Sequence, residues 1–177
     1  MMIRIAICDD ETKVLDEITK YIHYYTILEN ISDIDIIRFS SVNPLINEIE
    51  DGKIFDIFIL DVYIGDDIGT TLAKNIRKMD IESPIIFVTT SIEHAPQGYE
   101  IGTLRYLIKP ILPQKFYEAL SVALAQVEKN RESYVKLKTD NGLVNIQINN
   151  IMCSEAQGHY QYITLKDETK IRIRMTD

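Results

Sequence analysis

The chain opens on the stretch Ile3-Arg-Ile-Ala-Ile-Cys-Asp-Asp10, in which a nearly continuous apolar run ends at two carboxylates. Other apolar runs end at Asp61, at Thr89 and at Lys109-Pro110, and amphipathic stretches separate them. Apolar strands that alternate with helices predict βαβ units and a parallel sheet buried on both faces. The carboxyl ends of such strands meet at one crevice, where ligands bind in open α/β folds. We therefore expect the polar residues at the strand ends to form a site.

The alternation of strands and helices extends over five units. Strands are predicted at 3–8, 35–39, 56–60, 85–89 and 104–108, and helices at 11–28, 42–51, 67–79, 93–100 and 112–131. Asp10 and Ser41 are the expected N-caps of the first two helices. The pattern predicts a doubly wound, parallel (βα)5 domain of the α/β class over residues 1–131.

Beyond residue 131 the apolar period changes to two, which is typical of antiparallel strands. The turn signal Asp140-Asn-Gly142 predicts a hairpin, because Asn and Gly tolerate positive φ. Strands are expected at 134–138, 144–148, 151–156, 160–165 and 170–174. About 40 residues of β chain make a marginal core by themselves. Residues 132–177 are therefore expected to form an incomplete antiparallel all-β segment.

The negative charge of the chain lies in its first domain. The net charge is −8, and residues 131–177 hold seven basic and six acidic side chains, so residues 1–130 carry −9. This excess suits cation binding and disfavours nucleic acid in the first domain. No apolar run approaches the roughly 18 residues of a membrane span, so no membrane association is expected. Cys8 and Cys153 are expected to be buried, reduced thiols of a cytoplasmic protein.

The carboxylates at the strand ends suit a divalent cation. Mg²⁺ prefers carboxylate and carbonyl oxygens, with waters completing its octahedral shell. Asp10 and Asp61 can each give one oxygen, and Asp9 can orient a bound water. The backbone carbonyl of Tyr63 is the fourth expected ligand.

The remaining strand-end residues suit a phosphoryl group. Lys109 supplies a counter-charge for one phosphoryl oxygen, and the Thr89 hydroxyl can donate a hydrogen bond to another. Asp61 is the expected nucleophile, because it follows the middle strand. Tyr106, in the fourth run, would by itself be an ordinary core aromatic, and an Asp after a strand is most often only a cap. The prediction depends on all of these residues occurring in order at the correct strand ends.

Residues 1–131 resemble the receiver domain of two-component response regulators over the whole domain. The resemblance is carried by Asp61-Val-Tyr-Ile-Gly-Asp-Asp-Ile-Gly69, by Phe87-Val-Thr-Thr90 and by Tyr106-Leu-Ile-Lys-Pro110. It implies the flavodoxin-like fold, a phosphoryl group accepted on Asp61 from a sensor histidine kinase, and Mg²⁺ as cofactor. It also implies that Thr89 and Tyr106 act as switch residues, that the bond before Pro110 is cis, and that the protein forms a homodimer on phosphorylation.

Residues 133–174 resemble the front part of a LytTR-type DNA-binding domain. The resemblance is carried by Asn149-Asn-Ile-Met-Cys-Ser-Glu155 and Gly158-His-Tyr160. It implies control of transcription through promoter DNA bound by the complete second domain. His159 stands where a loop of that family contacts DNA, and the alternative is an exposed turn histidine without this role.

Several residues depart from the receiver pattern, and other functions compete with it. Gly65 stands where the family usually has proline, and Pro96 and Gly98 interrupt the predicted fourth helix, so the mode of dimerisation is open.

One alternative function is a phosphorylation-dependent protein-interaction switch that binds no DNA. A phosphohydrolase of the haloacid dehalogenase type would need a second Asp two residues after Asp61, and that position is occupied by Tyr63. A flavodoxin-like cofactor binder would need a phosphate loop after the first strand.

Overall fold

The structure is a computed structural model that describes residues 2–65, 67–79, 81–91, 100–132, 134–139 and 142–174. The chain divides into two compact units, Met1–Val127 and Glu128–Asp177. The division falls inside the helix Pro113–Glu132, four residues before the boundary expected at 131.

The first unit alternates strands and helices. Its described elements are, in chain order, β1 (Ile3–Cys8), α1 (Thr12–Leu28), β2 (Ile34–Phe39), α2 (Val42–Glu50), β3 (Ile57–Leu60), β4 (Tyr63–Ile64), β5 (Asp67–Ile68), α3 (Gly69–Lys78), β6 (Ile85–Thr89), β7 (Arg105–Ile108) and α4 (Pro113–Glu132). Five strands form a parallel sheet in the order β2-β1-β3-β6-β7. This is the predicted doubly wound α/β fold.

The sheet is packed on both faces because each strand presents alternate residues to opposite sides. In β1, Ile5 and Ile7 pack with α1 and with Phe116 of α4. Ala6 and Cys8 face the opposite cluster, which includes residues of α2 and α3. All four of these β1 side chains are fully buried. The outer strand β2 is only half-buried over most of its length, as an edge position allows.

The helix beginnings differ in part from the prediction. Helix α1 has Glu11, not Asp10, at its N-cap, with no side-chain cap hydrogen bond. The Asp10 carboxylate instead accepts the Gly65 N–H, 3.1 Å away. Ser41 is the N-cap of α2, but its side chain makes no cap hydrogen bond. The helix predicted at 93–100 lies outside the described residues except for Glu100, which is helical.

A short hairpin follows β3 where the sequence analysis expected the third helix to begin. Strands β4 and β5 pair antiparallel, with Tyr63 opposite Ile68 and Ile64 opposite Asp67. Gly65, at the turn, has a φ of 60°, which an L side chain rarely adopts. Helix α3 therefore begins at Gly69, two residues later than predicted.

The second unit is an antiparallel sheet. Its elements are β8 (Tyr134–Thr139), β9 (Gly142–Gln147), a 3₁₀ turn (Ile148–Asn150), β10 (Ile151–Gln157), β11 (Tyr160–Leu165) and β12 (Lys170–Arg174), in the sheet order β10-β11-β12-β8-β9. Residues 140 and 141 of the predicted turn lie outside the described residues, but Thr139 and Gly142 are paired as a hairpin requires.

The two cysteines have different environments. Cys8 is buried and its thiol donates a hydrogen bond to the Ser41 carbonyl, whereas Cys153 is exposed. The expectation that Cys153 is buried was wrong because β10 is an edge strand whose residues are almost all exposed. Within the described ranges, every helix is too short or too polar to span a bilayer.

Candidate functional site

The parallel register brings the polar strand-end residues to one edge of the sheet. Cys8 pairs with Leu60, so the residues that follow them, Asp9 and Asp61, are neighbours. Thr89, the last residue of β6, pairs with Ile108, which precedes Lys109. Asp9, Asp61 and Thr89 are all buried. The crevice predicted from the sequence is therefore present in the first unit.

The Lys109 ammonium lies among three carboxylates. Its Nζ is 2.7 Å from Asp61 Oδ2, 2.8 Å from Asp9 Oδ2 and 3.1 Å from Glu11 Oε1. Burial disfavours its charged form, but the hydrogen bonds and charges of Asp61 and Asp9 outweigh burial and raise the pKa of Lys109. Lys109 is therefore a fixed positive charge, and one ammonium facing three carboxylates leaves an excess of negative charge.

The same three carboxylates have the arrangement of cation ligands. Asp9, Glu11 and Asp61 each offer an oxygen, and these oxygens lie within 4.8 Å of one another. Asp9 Oδ2 is buried, and the Lys109 ammonium lies 2.8 Å from it. Burial raises the pKa of Asp9, and Lys109 and the Glu11 N–H only partly oppose this. Oxygen ligands with excess negative charge suit a hard divalent cation such as Mg²⁺.

The carboxylate cluster and the predicted ligand set share Asp9 and Asp61. The cluster also includes Glu11, whereas the Asp10 carboxylate of the predicted set accepts the Gly65 N–H. Asp9-Asp-Glu11 is an unbroken acidic run directly after β1, which is the sequence signal for Glu11. The sequence analysis placed Glu11 in the predicted helix at 11–28 and did not consider it as a ligand.

Two hydrogen bonds donated by main-chain N–H groups stabilise the loop after Asp61. The Tyr63 N–H donates to Asp61 Oδ1 at 3.2 Å, and the Gly69 N–H donates to the Val62 carbonyl at 2.7 Å. A Cβ at position 69 would lie 1.9 Å from the Asp61 carbonyl oxygen, so only glycine allows this approach. The side chain of Tyr63 is partly exposed. Gly69 therefore helps to set the position of the Asp61 main chain.

Thr89 and Tyr106 lie on the other side of the crevice. Thr89 Oγ1 is buried and makes no hydrogen bond to the residues that the structure describes, while the Thr89 carbonyl accepts the Lys109 N–H at 2.8 Å. Tyr106 packs on Phe87 with ring centroids 5.8 Å apart, and its hydroxyl donates to the Ser91 carbonyl at 2.8 Å. Burial, followed by the charges of Tyr63 and Asp61, raises the pKa of Tyr106, so its hydroxyl stays a donor.

The structure also describes the bond before Pro110 and the surroundings of His159. The peptide bond between Lys109 and Pro110 is cis. His159 is exposed in the turn that joins β10 to β11, in the second unit.

Comparison with known proteins agrees with this arrangement. The model of the response regulator receiver domain family matches residues 5–121. The chain belongs to this family. A sensory transduction protein LytT from Bacillus anthracis is 28% identical over 140 residues, which are 78% of this chain and 52% of that protein. A transcriptional regulatory protein LytR from Staphylococcus aureus (strain MW2) is 28% identical over 134 residues, 76% of this chain and 52% of that protein.

The chain thus spans about half the length of the curated relatives it matches. Among solved structures, the response regulatory domain of protein mrkE from Klebsiella pneumoniae has a TM-score of 0.64 at 23% identity, covering 72% of this chain and 99% of that one. This similarity shows the flavodoxin-like fold of the receiver domain. The receiver is a signalling domain, and the two relatives are named as a sensory transduction protein and a transcriptional regulatory protein.

Proposed function

We propose that this chain is a cytoplasmic response regulator of the LytTR class that accepts a phosphoryl group on Asp61 from a sensor histidine kinase. The observation that carries the proposal is the contact of Lys109 Nζ with both Asp61 and Asp9, at 2.7 and 2.8 Å. It places a permanent cation beside a buried carboxylate at the carboxyl edge of a parallel sheet.

The residues of the crevice support an in-line phosphoryl transfer. An Asp61 oxygen attacks phosphorus, the new O–P bond forms as the bond to the donor nitrogen breaks, and the histidine takes the electron pair. Asp9 and Asp61, with Asp10, Glu11 or the Tyr63 carbonyl, would hold Mg²⁺, which would supply positive charge for the phosphoryl oxygens. Lys109 stabilises a further oxygen, since its ammonium is within hydrogen-bonding distance of Asp61.

Thr89 and Tyr106 are the residues that would report phosphorylation. Among the described residues the Thr89 hydroxyl has no hydrogen-bond partner, so a phosphoryl oxygen on Asp61 offers it an acceptor. Movement of Thr89 toward that oxygen frees space behind it, and Tyr106 turns inward, giving up its hydrogen bond to Ser91. The surface formed by β7 and the predicted helix at 93–100 then changes and favours a homodimer.

The output is control of transcription through a complete LytTR-type domain, whose front part is residues 132–177. Homodimerisation of the first unit would align two such domains on promoter DNA. His159 is exposed in a turn, as a residue that contacts DNA must be. The names of the LytT and LytR relatives support this output.

Phosphorylation with acetyl phosphate tests the proposal. The chain with Mg²⁺ should gain one phosphate mass that hydroxylamine removes, because an acyl phosphate is labile to that nucleophile. Asp61→Asn or EDTA should abolish the gain. The matched control is Asp51→Asn, which changes an exposed Asp at the end of α2 and should leave labelling unchanged. Full labelling of Asp61→Asn would refute Asp61 as the acceptor.

A further inference from the structure

Strand β12 separates its basic and apolar side chains onto opposite faces of the antiparallel sheet. Lys170, Arg172 and Arg174 are exposed, whereas Ile171 and Ile173 between them are half-buried. This alternation follows from the period of two along a strand. One face of the sheet therefore carries a row of three cations spaced about 7 Å apart.

Neighbouring strands extend this face with tyrosines. Tyr162 is directly opposite Arg172 in the ladder, and Tyr160 is opposite Arg174. The Arg172 guanidinium lies 4.9 Å from the centroid of the Tyr160 ring, which confirms that both side chains are on one face. We call Lys138, Tyr160, Tyr162, Lys170, Arg172 and Arg174 the basic–aromatic face.

Lys138 joins the face through the register of β8. Thr139 is paired with Ile173, so Thr139 shares the apolar side and Lys138 lies on the side of Arg174. The opposite side of the sheet is distinct, since Gln161 donates to Ser154 there at 2.6 Å and Ile163 is buried.

The charge on this face is strongly unbalanced. Lys138, Lys170, Arg172 and Arg174 give four positive charges. Among the strand side chains that the structure describes on this face, Glu155, opposite Tyr162, is the one carboxylate. The second unit as a whole is almost neutral, because residues 131–177 hold seven basic and six acidic side chains. The second unit therefore has a locally positive surface although its net charge is close to zero.

The combination of cations and tyrosine rings on an open sheet favours single-stranded nucleic acid. Proteins bind single strands by pairing phosphates with cations while bases stack on aromatic rings or arginine planes. The major groove of a duplex admits a helix or a two-stranded ribbon, and a five-stranded sheet face is too wide for it. An acidic peptide would use the cations but would gain nothing from the half-buried tyrosine rings beside them.

We propose that the basic–aromatic face binds single-stranded nucleic acid. Phosphates pair with Lys138, Lys170 and Arg174, and bases stack on Tyr162 and on the guanidinium of Arg172 above Tyr160. This activity is separate from duplex recognition by a complete LytTR domain and from phosphoryl transfer at Asp61. It requires only the strands of residues 134–174.

Fluorescence anisotropy with the full 177-residue chain tests the proposal. The probes are a labelled 12-nucleotide RNA, the DNA single strand of the same sequence, its duplex, and heparin. We expect micromolar binding of both single strands at low salt, with weaker binding of the duplex. Tyr162→Leu should weaken single-strand binding about tenfold and leave heparin binding unchanged, because only bases stack.

Matched variants distinguish the contribution of charge to binding from that of base stacking. The double variant Lys170→Gln/Arg174→Gln should weaken binding of all polyanions by at least about tenfold and reduce the salt dependence. Glu155→Gln should strengthen binding, and Lys115→Gln, on an exposed site of the first unit, should not alter it. Tyr162→Phe keeps the ring and should retain binding, which controls for misfolding of Tyr162→Leu. All of these variants should still accept phosphate on Asp61.

Four outcomes would overturn the proposal. The first is the absence of binding to either single strand. The second is equal binding of heparin with no effect of Tyr162→Leu, which would show a general polyanion surface. The third is preference for the duplex that His159→Ala removes, which would assign the binding to the turn before β11. The fourth is a self-associated form of the chain that the cation variants dissociate, which would assign this face to the acidic unit of a second copy.

Discussion

Replacing Gly69 by alanine should disturb the main chain of the proposed phosphoacceptor. A Cβ built at this position lies 1.9 Å from the Asp61 carbonyl oxygen, 3.0 Å from its carbonyl carbon and 3.2 Å from Val62 Cα. Ordinary non-bonded contacts of a carbon atom begin at about 3.5 Å. The main chain at position 69 or that at Asp61 must therefore move by roughly 1.5 Å to accommodate the added Cβ. Overpacking of this kind lowers the free energy of unfolding by about 1–3 kcal/mol, and the higher helix propensity of alanine restores at most about 1 kcal/mol of it.

We therefore expect Gly69→Ala to lower the free energy of unfolding of the first unit by about 1–2 kcal/mol. Urea denaturation followed by circular dichroism measures this change. Phosphorylation by acetyl phosphate should also slow, because the displaced carbonyl belongs to the nucleophile. Thr71→Ala, at an exposed position of the same helix, gains propensity without a clash and is the control. A Gly69→Ala protein as stable as the parent, with unchanged phosphorylation, would refute the steric argument.

Three further predictions concern phosphate lifetime, pH and duplex DNA. Tyr63 is partly exposed beside Asp61, and we expect its ring to shield a phosphoryl group on Asp61 from water. Tyr63→Asn should therefore speed loss of the phosphate roughly tenfold in a radiolabel decay assay, and an unchanged rate would contradict shielding. Burial raises the pKa of Asp9, so the folded chain binds this proton more tightly than the unfolded chain does. Its contribution to stability is therefore lost as pH rises from the ordinary pKa of 3.8 through the raised folded value. In EDTA at pH 7, Asp9→Asn should raise the urea midpoint, and a lower midpoint would contradict this sign. The present chain should bind duplex DNA only weakly even when phosphorylated, and His159 should contribute a factor of about ten or more only in a chain that includes the rest of a LytTR domain. Nanomolar, sequence-specific binding of a promoter duplex in gel shifts would refute that expectation.

The parallel sheet and its crevice could be predicted from the sequence because both depend on strong local patterns. Runs such as Ile57–Leu60 are apolar at every position, which only a strand covered on both faces requires. The polar residues that end these runs must then meet at one edge, whatever the details of the loops. Asp9, Asp61 and Lys109 were therefore brought together by topology alone.

The features that were missed depend on contacts that no period encodes. The directions of the Asp10 and Glu11 side chains are set by how the chain turns from β1 into α1. The contact of Asp10 with Gly65 and that of Glu11 with Lys109 could therefore not be predicted from the sequence. The β4–β5 hairpin has strands of two residues, too short to show alternation. Cys153 is exposed because β10 is at the edge of its sheet, and strand order among short antiparallel strands cannot be read from their sequences.

The hydrogen bond from the Lys109 N–H to the Thr89 carbonyl joins two residues whose side chains face the same crevice. A shift of either main chain displaces the other, so the amine and the hydroxyl do not respond to Asp61 as independent groups. The free-energy effects of altering both side chains should then differ from the sum of the separate effects, as is usual for residues within one network. We therefore expect the Lys109 ammonium and the Thr89 hydroxyl to behave as one coupled pair at the end of the sheet.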